Sequence, residues 1–108
     1  MLFRSERLKE NIIELSDNTL DNACNIRAVR FTWKQYPERN QCIGFIAQNV
    51  QKYYPELINN DADGYLGIDY TSMIPVLLKS IQQLKSKLDN TNQKLDDALQ
   101  RIQILESK

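Results

Sequence analysis

The chain has 108 residues, with 14 acidic and 14 basic side chains and no histidine. A balanced charge creates no general attraction for nucleic acid or anionic membrane, so neither is an expected partner. The lack of histidine excludes catalytic sites that use an imidazole as general base. Length and charge therefore predict a single domain whose chemistry, if any, rests on hydroxyls, lysines and carboxylates.

Hydropathy and cysteine content indicate in which compartment the protein is made. No apolar run approaches the roughly 20 residues of a membrane span, and the first residues lack the apolar stretch of a secretion signal. We therefore expect a soluble protein made inside a cell, with Cys24 and Cys42 as reduced core residues. Two thiolates without histidine do not complete a zinc site, so no metal or cofactor is expected.

The first part of the chain mixes short helical and strand patterns. Apolar residues at helical spacing predict helices, and alternating apolar residues predict strands that pair as a hairpin and bury Trp33. In chain order the expected elements are helices Ser5–Leu15 and Leu20–Ile26, strands Val29–Trp33 and Cys42–Ile46, helix Ala47–Tyr54 and strand Tyr65–Tyr70. A region this small is marginally stable alone, because it buries a modest share of its surface.

One heptad pattern runs through residues 71–108, which contain no glycine. With Ile74 at position a, Ile or Leu fills eight of the ten a and d positions, which is typical of a coiled coil. Those eight are Ile74, Leu77, Ile81, Leu84, Leu88, Leu95, Ile102 and Leu105, and the other two are Thr91 and Ala98. Thr71 or Ser72 can cap this helix, and Pro75 is tolerated in its first turn. We therefore divide the chain into a head, residues 4–70, and a coiled-coil helix, residues 71–108.

The heptads leave the number of strands open. Ile at a with Leu at d, as in the first heptads, favours a dimer. Leu78 and Leu99 at e positions widen the apolar stripe, which could cover a third helix or the chain's own head. The basic residues at e and g are expected to be solvated, and Lys85 can pair with Asp89 one turn away.

The order of the motifs resembles the endosialidase-type intramolecular chaperone family, an auto-processing serine peptidase domain of phage tailspikes and tail fibres. The resemblance spans about residues 4–88 and rests on Arg7–Ile12, Ala28–Lys34, Ile43–Val50, Tyr54–Leu57 and Ile68–Tyr70, followed by the coil. It implies a homotrimer that holds three upstream chains in register while they fold. It also implies that the module then cuts itself off.

Family members cut themselves with a Ser–Lys pair in a pattern similar to Ser-Asp-x-x-Leu-Lys. Lys9 matches the family's lysine, but Arg4 stands at the serine position and Ser5 at the aspartate position. Ser5 could instead act with Lys9, four residues away on one helix face, once burial lowers the lysine pKa. The alternative is that Ser5 only caps the first helix.

Two other patterns have plainer explanations. Asn59, Asp61, Asp63 and Gly64 fit the first half of an EF-hand loop, but Tyr70 stands where a glutamate is needed, so a turn is expected. The pair Tyr53-Tyr54 could stack a base or ligand, although core packing is the simpler prediction.

These patterns predict an α+β fold with a small head and a parallel trimeric coiled coil. The expected function is an intramolecular chaperone or trimerisation domain of a viral fibre or tailspike, in the virion or in the host cytoplasm during assembly, with self-cleavage lost. Its expected partners are two further copies of itself and the upstream fibre segment. The alternatives are an active self-cleaving serine endopeptidase using Ser5 and Lys9, and a stand-alone coiled-coil adaptor.

Overall fold

The computed structural model describes residues 5–108, so Arg4, the first residue of the head, lies outside the described residues. Two small antiparallel sheets, short helical segments and one long C-terminal helix form the fold, and the α+β class is confirmed. The molecule is extended, 73 × 45 × 24 Å, because the last helix has 37 residues. No helix in the described part of the chain has the length and apolarity needed to cross a membrane.

From the second predicted helix onward, the elements follow the expected order, with some changes in length and one strand that was not predicted. A 3₁₀ turn at Glu6–Leu8 precedes α1 (Thr19–Cys24), β1 (Ala28–Phe31), β2 (Cys42–Phe45), α2 (Ala47–Gln51), a 3₁₀ turn at Pro55–Leu57, β3 (Ile58–Asn60), β4 (Leu66–Ile68) and α3 (Tyr70–Glu106). α2 ends at Gln51, before the predicted end at Tyr54. Pro55 opens the second 3₁₀ turn, and Tyr54 before it is not helical, since proline disfavours helical geometry in the preceding residue.

The predicted hairpin forms between β1 and β2. These strands are antiparallel, with Ala28 opposite Phe45 and Phe31 opposite Cys42. The strand ends before Trp33, which packs edge-on against Phe31 at a centroid distance of 5.1 Å. Trp33 is 50% exposed, so the prediction that it is buried in the head is wrong. The ring lies beyond Phe31, the last paired residue of β1, and outside the buried cluster of the head.

A second hairpin joins β3 and β4, with Ile58 opposite Ile68. β3 has no counterpart among the predicted strands, because its two asparagines hide the apolar alternation. One carboxylate oxygen of Asp61 accepts the backbone N–H groups of Asp63 and Tyr65, both at 2.9 Å. Gly64 follows with φ +85°, a left-handed conformation that glycine adopts without strain. The motif resembling an EF-hand is thus the turn of this hairpin.

The core lies between α2, the second hairpin and the start of α3. Its buried members are Val50, Tyr54, Leu57, Met73 and Val76, with Ala23, Ile26, Phe45, Tyr53, Ile58 and Ile68 partly buried around them. The two tyrosines therefore pack in or against the core, as expected. The cysteines do not: Cys24 is exposed and Cys42 half-buried, and both thiols are free. Their predicted core placement is wrong.

The predicted helix over Ser5–Leu15 is also wrong, since only Glu6–Leu8 is helical, as a 3₁₀ turn. Asn11 has a left-handed φ of 54°, which interrupts any helix. The apolar residues that suggested it stay exposed, with Ile12 at 68% and Leu8 at 63%. A short amphipathic helix needs a partner surface for its apolar face, and this segment has none within the described chain.

Candidate assembly interface and processing site

One face of α3 is covered by the head. Met73, Val76 and Ser80 are only 2%, 4% and 7% exposed, and the Ser80 hydroxyl donates to the Val76 carbonyl at 2.8 Å. They occupy heptad positions g, c and g when Ile74 is a. This face lies about 100° around the helix from the a and d stripe, at 3.6 residues per turn. The head therefore packs beside the predicted stripe, not on it.

A polar contact holds α1 on the same face of α3. The Gln83 side-chain oxygen accepts the Leu20 N–H at 2.8 Å, and its nitrogen donates to the Ser16 carbonyl at 3.0 Å. Two ion pairs flank it, Lys79 with Glu14 at 3.5 Å and Lys87 with Asp21 at 3.8 Å. These pairs are long, and three of their four side chains are well exposed, so they contribute little. Gln83, by contrast, satisfies backbone groups at the start of α1.

The eight predicted interface residues are all exposed in the single chain. Their exposed fractions are 64% for Ile74, 47% for Leu77, 63% for Ile81, 56% for Leu84, 56% for Leu88, 54% for Leu95, 50% for Ile102 and 67% for Leu105. Leu78 and Leu99 at e are likewise 55% and 53% exposed. One apolar stripe thus runs along most of α3 and is left uncovered by residues 5–108, a feature typical of interaction surfaces.

The charges beside the stripe are uneven. The charged g positions over the second half of α3 are all basic: Lys87, Lys94 and Arg101. The charged residues at e are Lys85 and Glu106. Lys85 donates to Asp89 at 2.8 Å, and this hydrogen bond together with the aspartate charge raises the lysine pKa.

Asp69 caps the start of α3 instead of Thr71 or Ser72. Its carboxylate accepts the Ser72 hydroxyl at 2.7 Å and the Ser72 N–H at 3.1 Å. These bonds, the hydroxyl first, hold the pKa of Asp69 below its usual value. The prediction that Thr71 or Ser72 is the capping residue is therefore wrong, because Ser72 lies inside the helix and donates to the cap.

The candidate processing residues sit at the two ends of the first 3₁₀ turn. Ser5 precedes this turn in an extended conformation, φ −68° and ψ 138°, and its side chain makes no capping hydrogen bond. Lys9 follows the turn with φ −121° and ψ 147°. Both are exposed. Because the segment is not an α-helix, the pair does not share a helical face, and any catalytic approach between them needs another geometry.

A comparison with protein-family models matches residues 5–59 to the peptidase S74 family, described as the chaperone of endosialidase. The match covers just over half of the chain. The chain belongs to this family. A search of curated proteins gives no significant match.

Within this endosialidase chaperone, the matched residues run from Ser5 to β3. They include both strands of the first hairpin and α2, whose Val50 is fully buried. The Asn49 side chain also accepts the Arg27 N–H at 2.8 Å, joining α2 to the start of β1. The match thus covers the head as far as β3, while β4 and α3 lie beyond the matched residues.

Sequence reasoning missed Gln83 and an open groove of about 780 Å³ between the two hairpins. The groove is lined by aromatic side chains, among them Trp33, Tyr36, Tyr65 and Tyr70. A polar residue in line with Met73, Val76 and Ser80 was the available signal for Gln83. The groove left no signal in the sequence, because its walls come from segments that are far apart along the chain. Within residues 5–108, no three Cys, Asp or Glu side chains group as a metal site.

Proposed function

We propose that this endosialidase chaperone forms a parallel homotrimer through α3 and aligns three copies of an upstream fibre or tailspike segment. Family membership supports the chaperone role. The observation that carries the assembly is the uncovered stripe of α3, whose Ile and Leu residues are about half or more exposed. A module that trimerises raises the effective concentration of the segments attached to it, which favours their correct alignment. Such work belongs in the virion or in the host cytoplasm during assembly.

The charge pattern supports a parallel arrangement. In an antiparallel coil, g residues face g residues, and the basic row Lys87, Lys94 and Arg101 would repel itself. In a parallel coil, each g residue faces the e residue five positions on in the next chain, so Arg101 meets Glu106. The basic row then faces no like charge.

The width of the stripe supports three strands. Leu78 and Leu99 extend the apolar surface to position e, and the head of the same chain leaves both exposed. A two-stranded coil buries mainly a and d, whereas a third helix covers more of each partner. We therefore propose a trimer, in which these leucines lie at the edges of the seam.

The assembly is tested by light scattering on the parent and on Ile81→Asp with Leu88→Asp. We expect the parent to have the mass of a trimer and the variant to be a monomer at tens of micromolar. Each aspartate would place a charge in a dry seam, at a cost of several kcal/mol.

The matched control is Gln82→Asp with Ser86→Asp, which adds the same charge to the exposed b and f positions. It should remain trimeric. A monomeric parent would refute the assembly, and a dimer would refute the strand number. Dissociation of the control would show that net charge, not the stripe, sets the result.

We also propose that self-cleavage is lost, because Arg4 occupies the position of the family nucleophile. The competing proposal is an active peptidase using Ser5 and Lys9. It is favoured by one observation, the absence of a capping hydrogen bond from the Ser5 side chain.

A further inference from the structure

Leu78 lies next to the head along α3, yet its own head does not cover it. It is 55% exposed, although Val76 and Ser80 nearby are buried. Its heptad position, e, lies on the opposite side of the a and d stripe from the g positions that carry the head. The described residues of its own chain thus leave Leu78 open to contact with another copy.

The parallel coil identifies what faces Leu78. In that geometry, each g residue faces the e residue five positions on in the next chain. Met73 therefore faces Leu78 of the neighbouring copy, and Ser80 faces Lys85 of that copy. But both g residues are buried beneath their own head. In an ordinary coiled coil, g side chains of one helix pair with e side chains of the next. Over these two heptads, the head fills the space where that pairing would occur.

We propose that, in the trimer, the head of each copy packs against Leu78 and Lys85 on α3 of the neighbouring copy, an inference that rests on the proposed function. The part of the head that makes this contact is the side of α1 next to the g positions of α3. Asp21 lies on that side, with its carboxylate 3.8 Å from the Lys87 ammonium at position g.

The charges on the two surfaces are complementary. The Asp21 side chain is 71% exposed and its pairing with Lys87 is loose, so it can accept a second cation. Lys85 is the cation at e on this part of α3. It already binds Asp89 of its own helix at 2.8 Å, but its side chain is 75% exposed and its ammonium has further N–H groups to donate. In this arrangement the acidic edge of α1 faces Lys85 of the neighbouring copy, and Leu78, one heptad before Lys85, makes the apolar contact.

This contact makes the head part of the trimer interface. Each head would touch two helices, its own through Met73 and Ser80 and the next through Leu78, and three such contacts close a ring. A head with few buried residues gains buried area in this way. Its order then depends on assembly as well as on its own core.

Leu78→Ser tests the contact, and Leu99→Ser is the matched control. Leu99 has the same heptad position, is 53% exposed, and lies three heptads further along α3, beyond the residues that the head covers. The measurements are the mass by light scattering and hydrogen exchange of the α1 amides, Thr19–Cys24. We expect exchange in α1 to become several-fold faster in Leu78→Ser and to stay at the parent rate in Leu99→Ser.

The outcomes separate this inference from the assembly itself. If the parent is a trimer and both variants exchange at the same rate in α1, the contact between head and neighbouring helix is refuted and the trimer stands. If the parent is a monomer, the proposed function has failed. If only Leu78→Ser loses α1 protection, whether or not its trimer also weakens, the contact is supported.

Discussion

Gln83 is the residue that fixes the first helix of the head to α3. Its side chain meets both the first turn of α1, at the Leu20 N–H, and the preceding Ser16 carbonyl. The Thr19 hydroxyl donates to the same carbonyl at 2.7 Å and is 1% exposed. Asn18, the N-cap residue of α1, makes no capping hydrogen bond through its own side chain. A glutamine 63 residues away therefore satisfies an amide that a local cap would usually bind.

Replacing Gln83 with Ala should destabilise the head by about 1–2 kcal/mol, because the Leu20 N–H loses its partner and the Ser16 carbonyl loses one of its donors. Gln82→Ala makes the same change in helix propensity at the exposed neighbouring position and is the control. Urea unfolding at one fixed protein concentration measures both, since assembly makes stability depend on concentration. If both variants lose the same free energy of unfolding, Gln83 contributes only through its helix propensity.

Among the elements, the first hairpin is held to the start of α3 by Tyr70. The Tyr70 ring stacks on Phe45 at a centroid distance of 5.7 Å, and its hydroxyl accepts the Phe45 N–H at 3.4 Å. This approach is possible because residue 44 is glycine. A Cβ at Gly44 would lie 2.8 Å from the Tyr70 hydroxyl and 3.2 Å from the Phe31 ring. The family motif Ile43–Val50 thus contains a glycine that is needed for contact between two elements.

Gly44→Ala should destabilise the hairpin by about 1–3 kcal/mol through this overlap. Gly67→Ala is the matched control, a glycine in β4 whose Cβ would find only Asn59 O at 3.9 Å. We expect its effect to stay below about 1 kcal/mol. Tyr70→Phe removes the nearest obstacle, so it should recover part of the loss in Gly44→Ala. Thermal unfolding of the four variants measures this, and strictly additive losses would contradict the proposed overlap.

At the scale of the whole molecule, the candidate processing residues lie in the matched head, while the exposed stripe lies on α3. Ser5 and Lys9 flank a single turn near the N-terminus. The stripe extends to Leu105 near the other end of the chain. If the proposed function holds, an upstream segment would join the chain at the head, so both alignment and any cleavage would act at that end.

Loss of self-cleavage is tested with an upstream fusion and intact-mass measurement. We expect the fusion to remain uncut for days. Arg4→Ser with Ser5→Asp restores the family pattern around Lys9 and should allow cutting before residue 4. Lys9→Met in that background should abolish it, because the chain has no histidine to act as base. Cleavage of the unchanged fusion between Arg4 and Ser5, stopped by Ser5→Ala, would show an active peptidase instead.

The sequence by itself determined the α+β class, the first hairpin, the long helix and the family. Alternation in β1 and β2 and the heptads of α3 are local patterns, which remain readable because period two and period three and a half reflect the backbone geometry of strands and helices. The match over residues 5–59 bears out the family that the ordered motifs indicated.

Only the tertiary structure decided which face of α3 carries the head. The heptads left open whether the widened stripe covers the head or another helix, and burial of Met73, Val76 and Ser80 assigns the head to the g and c side. The same holds for the failed helix at Ser5–Leu15 and for the half-exposed Trp33. A pattern in the sequence shows that a face is apolar, but whether it is buried depends on a surface supplied from far along the chain. In this head, few such surfaces are available.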